Sequence, residues 1–257
     1  MKILLNGISG HMGREVHKLC NEGYKGASLA VGVDPNATDC DGLTVRSFDE
    51  ITDISDIDCI VDFSHHTATV PLLDFAIRNN IPTVVATTGH TEDEVKAIHA
   101  ASEKIAVFYS RNMSLGIALL IELAKITSLA MPEAEIEIIE SHHNRKLDAP
   151  SGTALMLADA ICQVKPDSYT NMGRSGQGKR TPDEIGIHSV RMGNIVGIHE
   201  VIVGTKNQTI TLKHEAHDRA LFAEGALSAA EFIIGKGSGL YDMASLVDEH
   251  SHENKAK

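Results

Sequence analysis

Along the first 110 residues, apolar runs and amphipathic stretches alternate. Residues 2–6, 28–33, 57–64, 81–89 and 105–109 have the composition of short buried strands. Between them, residues 14–21, 67–79 and 92–102 carry apolar positions at helical spacing, and Thr91 followed by Glu94 predicts a capping box at the last of these. Strands alternating with helices in units of 25 to 30 residues predict parallel pairing through right-handed crossovers, a doubly wound sheet. After Asn112 the pattern changes. Residues 115–130 predict a long apolar helix, and 132–140 alternate charged and apolar positions with period two, a sheet with one wet face. A loop over 141–151, a helix over 153–163 and three strands over 186–191, 195–203 and 208–214 complete an antiparallel or mixed sheet. A helix over 220–234 and a short element over 241–247 follow. The glycine-rich basic stretch 173–180 is expected to be mobile, and the tail 250–257 to fray. The fold class is therefore α/β: a Rossmann-type doubly wound domain of residues 1–113 with 221–257, and an α+β domain of residues 114–220 with a mixed sheet.

Composition narrows the function. The formal charge of −12 repels a phosphate backbone, so nucleic acid is not an expected partner. The longest apolar run, residues 115–121, stops at Glu122, too short to span a bilayer, and the N-terminus lacks a secretory apolar stretch. No membrane association and a cytoplasmic location are expected. Cys20, Cys40, Cys59 and Cys162 are scattered with no C-x-x-C pair, so they are read as buried thiols, and no metal site is expected.

Two regions carry chemistry. Gly7, Gly10 and Gly13 follow a strand at the mouth of a helix, where missing side chains let a pyrophosphate approach free N–H groups. Asp34 closes the next strand, placed to accept hydrogen bonds from ribose hydroxyls. Pro35 follows it instead of a cation, which predicts NADH over NADPH. Ala86-Thr87-Thr88-Gly89 and Ser110-Arg111-Asn112-Met113 also stand at strand ends, where such sheets bind ligands, although their residue types are equally those of ordinary turns. In the second region, His142, His143, Arg145 and Lys146 cluster at a strand end, and Ser151-Gly152-Thr153 opens a helix. A titratable donor among fixed positive charges, beside a helix N-terminus, suits a small dicarboxylate substrate. A solvated basic loop has the same composition. An NADH-binding regulator without catalysis would keep the first region only, and a dehydrogenase of another small carboxylic acid would share it.

The run His142-His143-Asn144-Arg145-Lys146-Leu147-Asp148-Ala149-Pro150-Ser151-Gly152-Thr153-Ala154 resembles the signature of the 4-hydroxy-tetrahydrodipicolinate reductase (dihydrodipicolinate reductase) family of bacterial lysine and diaminopimelate synthesis. The glycine turn, the Thr-Thr-Gly loop, Asn112-Met113-Ser114 and Gly237-Ser238-Gly239-Leu240-Tyr241-Asp242-Met243 extend the likeness over essentially the whole chain. The resemblance implies an oxidoreductase using NAD(P)H, with NADH preferred and NADPH possible, and a homotetramer. It implies that His142 is a proton donor and acceptor, Lys146 a second proton donor, His143 a substrate contact, and Gly152 and Thr153 a substrate carboxylate site. By the same resemblance Gly7, Ile8, Ser9, Gly10, His11, Met12, Asp34, Ala86, Thr87, Thr88, Ser110, Arg111, Asn112 and Met113 hold the cofactor. The chain departs from the family at Ala86, where glycine is frequent, and at Ser110-Arg111.

Overall fold

The computed structural model describes residues 1–37 and 43–253. Cys40, expected to be a buried thiol, and the last four residues of the tail lie outside them. The chain forms two compact units, Met1–Ser114 with Arg219–Lys257, and Leu115–Asp218.

In the first unit, β1 (Lys2–Asn6) leads through a glycine turn into α1 (His11–Asn21), and β2 (Ser28–Val33), β3 (Thr44–Val45) and β4 (Cys59–Asp62) follow. Then come α2 (Thr69–Asn79), β5 (Thr83–Val85), α3 (Glu92–Ser102) and β6 (Ala106–Tyr109). The second unit contains α4 (Leu115–Ala130), β7 (Glu135–His142), α5 (Gly152–Val164), β8 (Tyr169–Asn171), β9 (Glu184–Arg191), β10 (Gly197–Gly204) and β11 (Thr209–Ala216). The chain then returns to the first unit as α6 (Ala220–Ile233), β12 (Gly239–Tyr241) and α7 (Met243–Glu253).

The first sheet is parallel throughout, in the order β12-β6-β5-β4-β1-β2-β3. The chain moves outward from β1 to β2 and β3, then crosses to β4 on the other side of β1. That reversal opens a crevice beyond the C-terminal ends of β1 and β4, the place where open α/β sheets bind ligands. Leu4, Ile60, Val85 and Val107 of the strands bury against Leu72, Phe75, Ala76 and Ile98 of α2 and α3. The expected capping box forms: the Glu94 N–H donates to the Thr91 hydroxyl, and the Glu94 carboxylate accepts from the Thr91 N–H.

The second sheet, in the order β11-β10-β7-β9-β8, is mixed: β10 runs antiparallel to β11 and β7, whereas β9 runs parallel to β7 and β8. Ile136, Ile138, Ile185, Ile187, Val201 and Val203 pack under Ile117, Leu120 and Ala124 of α4 and Leu157 and Ile161 of α5. Three features depart from the sequence reading. β3 and β8, two and three residues long, are too short for an alternating pattern to register. α7 continues to Glu253, past the expected end of an element at 247 and the start of fraying at 250. The basic stretch 173–180 is tied down, because Arg174 and Arg180 both reach Glu137, at 2.6 and 3.1 Å. Among the described residues, no helix is long and apolar enough to cross a membrane.

Candidate active site

The first unit places the glycine turn in the crevice. Gly7 has φ +83°, a left-handed conformation that favours glycine, and its N–H donates to the Val33 carbonyl at 2.8 Å. A Cβ on Gly7 would lie 2.5 Å from the Phe63 carbonyl oxygen, and one on Gly13 would lie 2.1 Å from the Gly7 carbonyl oxygen. These glycines are therefore demanded by backbone packing at the β1–β4 reversal. The first intrahelical bond of α1 runs from the Arg14 N–H to the Gly10 carbonyl. No side chain caps Gly10 and no acidic residue stands in the first turn. The positive helix end, with the N–H groups of His11, Met12 and Gly13 lacking intrahelical acceptors, thus faces the crevice. That arrangement fits a pyrophosphate.

Asp34 is buried at the end of β2. One carboxylate oxygen accepts from the Ser9 N–H at 3.1 Å and the other from the Asn36 N–H at 2.9 Å, so it braces both the glycine turn and its own loop. It also lines a cleft of about 730 Å³ together with Gly10, Pro35, Arg46, Phe48 and His65. Sequence reading found no cation beside Asp34, yet the sheet supplies one. Val45 pairs with Val33 and accepts the Asp34 N–H, so Arg46, the next residue, enters the same cleft.

Beneath the turn lies a buried polar cluster that sequence reading did not single out. Asn6 donates to Asp62 at 2.8 Å and to the Ser64 hydroxyl at 2.9 Å, and the Ser64 hydroxyl donates to Asp62 at 2.6 Å. Burial pushes the Asp62 carboxyl up, against hydrogen bonds from Ser64, Thr87 and Asn6 that favour its charge. Thr87 is buried, and its hydroxyl accepts from the Ser64 N–H and donates to the Asp62 carbonyl. Its side chain therefore joins the ends of β4 and β5. Ala86 is buried beside it. In the loop after β6, the Ser110 hydroxyl donates to the Asn112 carbonyl, and the Asn112 side chain accepts from the Ser114 N–H. α6 underpins this turn: a Cβ on Gly225 would lie 1.7 Å from the Met113 carbonyl oxygen.

In the second unit, His142 ends β7, the central strand of the mixed sheet. Its Nδ1 lies 2.5 Å from Glu140, two residues earlier on the same face. Glu140 is fully buried and also accepts from Arg191 through both terminal nitrogens, at 2.7 and 2.8 Å, and from the Ser151 N–H at 3.1 Å. Burial opposes the charge of Glu140, but the hydrogen bonds from His142 and Arg191 outweigh it and hold the carboxyl well below the usual carboxylate range. Strand register makes the cluster. Glu140 stands opposite His199 on β10 and Ser189 on β9, and His142 stands opposite Arg191.

Ser151 caps α5, its hydroxyl accepting from the Ala154 N–H and lying 3.1 Å from His199 Nε2. Open space surrounds Gly152 at the first helical position. The loop between β7 and α5 is braced by the β9–β10 turn: Asn144 N–H donates to the Gly193 carbonyl, and Arg145 to Asn194. Lys146 pairs with Asp148 at 2.9 Å, and its N–H donates to the His143 carbonyl. The structure thus joins His142 to Ser151 through Glu140, whereas Lys146 and His143 sit on the loop beside them. Glu140, Arg191 and His199 were missed by sequence reading. Their signal was the strand pattern, since Glu140 follows Ile136 and Ile138 in the buried register of β7, and His199 precedes Val201 and Val203 in that of β10.

Burial, and then the charge of neighbouring His142, pull the His199 pKa down to about 3, so the imidazole is neutral in the fold. An unfolded histidine titrates near 6.5, so below that pH the unfolded chain takes up a proton that the folded one refuses. The stability due to neutral His199 is complete above about pH 6.5 and is lost as pH falls toward 3, by up to about 1.4 kcal/mol per unit. Urea denaturation at stepped pH is expected to show this decline, and His199→Gln to flatten it. An unaltered slope in the variant would assign the acid lability elsewhere.

Comparison with known proteins agrees with both halves. The family profile "Dihydrodipicolinate reductase, N-terminus" matches residues 1–113, and "Dihydrodipicolinate reductase, C-terminus" matches residues 116–247. A 4-hydroxy-tetrahydrodipicolinate reductase of Caldanaerobacter subterraneus is 44% identical over 96% of this chain and 98% of its own. Another from Clostridium novyi is 41% identical over the same shares. A dipicolinate-bound dihydrodipicolinate reductase from Paenisporosarcina has the same fold, with TM-score 0.80 and 23% identity over 94% of this chain and 97% of its own.

Proposed function

The chain belongs to the dihydrodipicolinate reductase family, and from this premise we propose that its own residues reduce 4-hydroxy-tetrahydrodipicolinate, in lysine and diaminopimelate synthesis, with NADH preferred and NADPH as a second donor. The observation that carries the reading is likeness over nearly the full chain to reductases of that name. The site geometry supports it residue by residue.

A reduced nicotinamide cofactor bound here would supply the hydride. The turn from Gly7 to Met12 would hold its pyrophosphate at the N-terminus of α1, and Asp34 would accept from its adenosine ribose. The loops Ala86–Thr87–Thr88 and Ser110–Arg111–Asn112–Met113 would hold its nicotinamide end. For the substrate, a small dicarboxylate, the α5 N-terminus with Gly152 and Thr153, together with the His143 ring and the Lys146 ammonium, holds its carboxylates. His142 delivers the proton that the carbon skeleton needs after hydride addition, from Nε2, because Nδ1 is engaged by Glu140. Lys146 offsets negative charge and acts as a second donor. Leu119, Leu123, Ile126 and Leu129 form an exposed apolar stripe on α4, which supports contact with a second copy of the chain, read as part of a homotetramer. The same reading makes the enzyme cytoplasmic, drawing on the nicotinamide pool of that compartment.

Cofactor choice is tested at Arg46. Wild-type kcat/KM is expected to favour NADH, and Arg46→Ala to lower the NADPH value about tenfold while leaving NADH within about twofold, the scale of one charge-assisted hydrogen bond to a 2′-phosphate. The measurement follows nicotinamide absorbance with the fresh condensation product of aspartate semialdehyde and pyruvate. A strong wild-type preference for NADPH would refute the NADH reading, and equal losses with both cofactors would remove Arg46 from phosphate recognition.

A further inference from the structure

The proton donor has a built support that the family likeness does not name. His142 Nδ1 meets one Glu140 oxygen, which also accepts from Arg191 Nη1, while the other accepts from Arg191 Nη2 and from the Ser151 N–H. This fully buried carboxylate thus takes four donors from three parts of the unit: one from β7 itself, two from Arg191 of β9 and one from the start of α5. On its other side, His142 Nε2 faces Gly197, where an added Cβ would lie only 3.1 Å away.

We propose that Glu140, clamped by Arg191, is the positioning residue of the reaction: it keeps a proton on His142 Nδ1 so that Nε2 is the atom that gives up and regains a proton. The proposal rests on the reading of His142 as proton donor. In the step, the doubly protonated imidazolium transfers its Nε2 proton to the substrate carbon bearing the electron pair left by hydride addition. It becomes a neutral imidazole that retains the Nδ1–H donated to Glu140, and water restores the Nε2 proton. A negative carboxylate fixed on Nδ1 stabilises the imidazolium and forbids the tautomer with the proton on Nε2 alone. The same carboxylate orients the Ser151 N–H at the α5 N-terminus, so donor and anion-binding end are set by one side chain. The charged groups facing this pair are Arg191 from β9 and Lys146 and Asp148 from the loop, and the titratable ones are His199 from β10, neutral in the fold, with His214 of β11 behind it.

The test uses the full-length enzyme with Glu140→Gln, which keeps the shape and removes the charge, and with Arg191→Lys, which keeps the charge and removes the two-pronged clamp. Glu140→Gln is expected to lower kcat about 10- to 100-fold with KM changed less than about threefold, the scale of losing oriented acid–base assistance. The alkaline limb of kcat against pH, set by loss of the donor proton, should move to lower pH. The ¹⁵N spectrum of His142, assigned by its loss in His142→Ala, should change from Nδ1-protonated toward mixed tautomers. Arg191→Lys should show the same three changes in smaller degree, and serves alone if the Gln variant does not fold. Wild-type kcat, limb and tautomer in these variants would overturn the proposal even if His142→Ala is inactive. If His142→Ala is itself fully active, the donor reading fails, while the ¹⁵N spectrum still decides whether Glu140 sets the tautomer.

Discussion

Replacing His142 or Lys146 with alanine is expected to lower kcat by about 10²-fold or more, the usual loss when an acid–base group is removed. Neither change should unfold the protein. Without His142, Glu140 still accepts two hydrogen bonds from Arg191 and one from the Ser151 N–H, so the buried charge keeps partners. Without Lys146, Asp148 loses one partner but is more than half exposed, so solvent compensates. The deficit should therefore appear in kcat while circular dichroism and the urea midpoint stay close to wild type. Unchanged kcat in either variant would take that residue out of the mechanism.

Gly13→Ala is expected to cost about 3 kcal/mol or more of stability in the first unit and to abolish NADH binding. Overpacking a core usually costs about 1–3 kcal/mol because side chains can shift. Here the added methyl would meet the Gly7 carbonyl oxygen at 2.1 Å and Ile8 Cα at 2.8 Å, both backbone atoms of a turn already anchored to Val33. Relief requires α1 to move away from β1, which displaces its N-terminus from the crevice. Gly178→Ala, where nothing lies within 4 Å of the added carbon, is the matched control and should leave stability unchanged. Urea denaturation and nucleotide titration measure both effects. A Gly13→Ala protein that binds NADH normally would show that the helix start is not the pyrophosphate site.

Where a signal lay within one element, sequence reading reached it. The Thr91–Glu94 capping box and the parallel alternation of the first unit depend on residues three or four apart or on whole runs, and both stand in the structure. Arg46 could not be read as a neighbour of Asp34, because their proximity comes from the pairing of β2 with β3. Asp62 looked like any strand-end acid until Asn6 and Thr87, brought from β1 and the β5 loop, enclosed it.

By itself the sequence determined the class of fold, the glycine turn and the cluster His142 to Thr153, since periodicity, missing side chains and residue type act locally. Only the tertiary structure decided which atoms of that cluster are committed. Glu140, His142, Arg191, Ser151 and His199 come from three strands and a helix start, and register in the mixed sheet sets which residues of β9 and β10 face Glu140 and His142. A buried carboxylate takes its partners from whatever the neighbouring strands present, and no spacing along one chain segment encodes that choice.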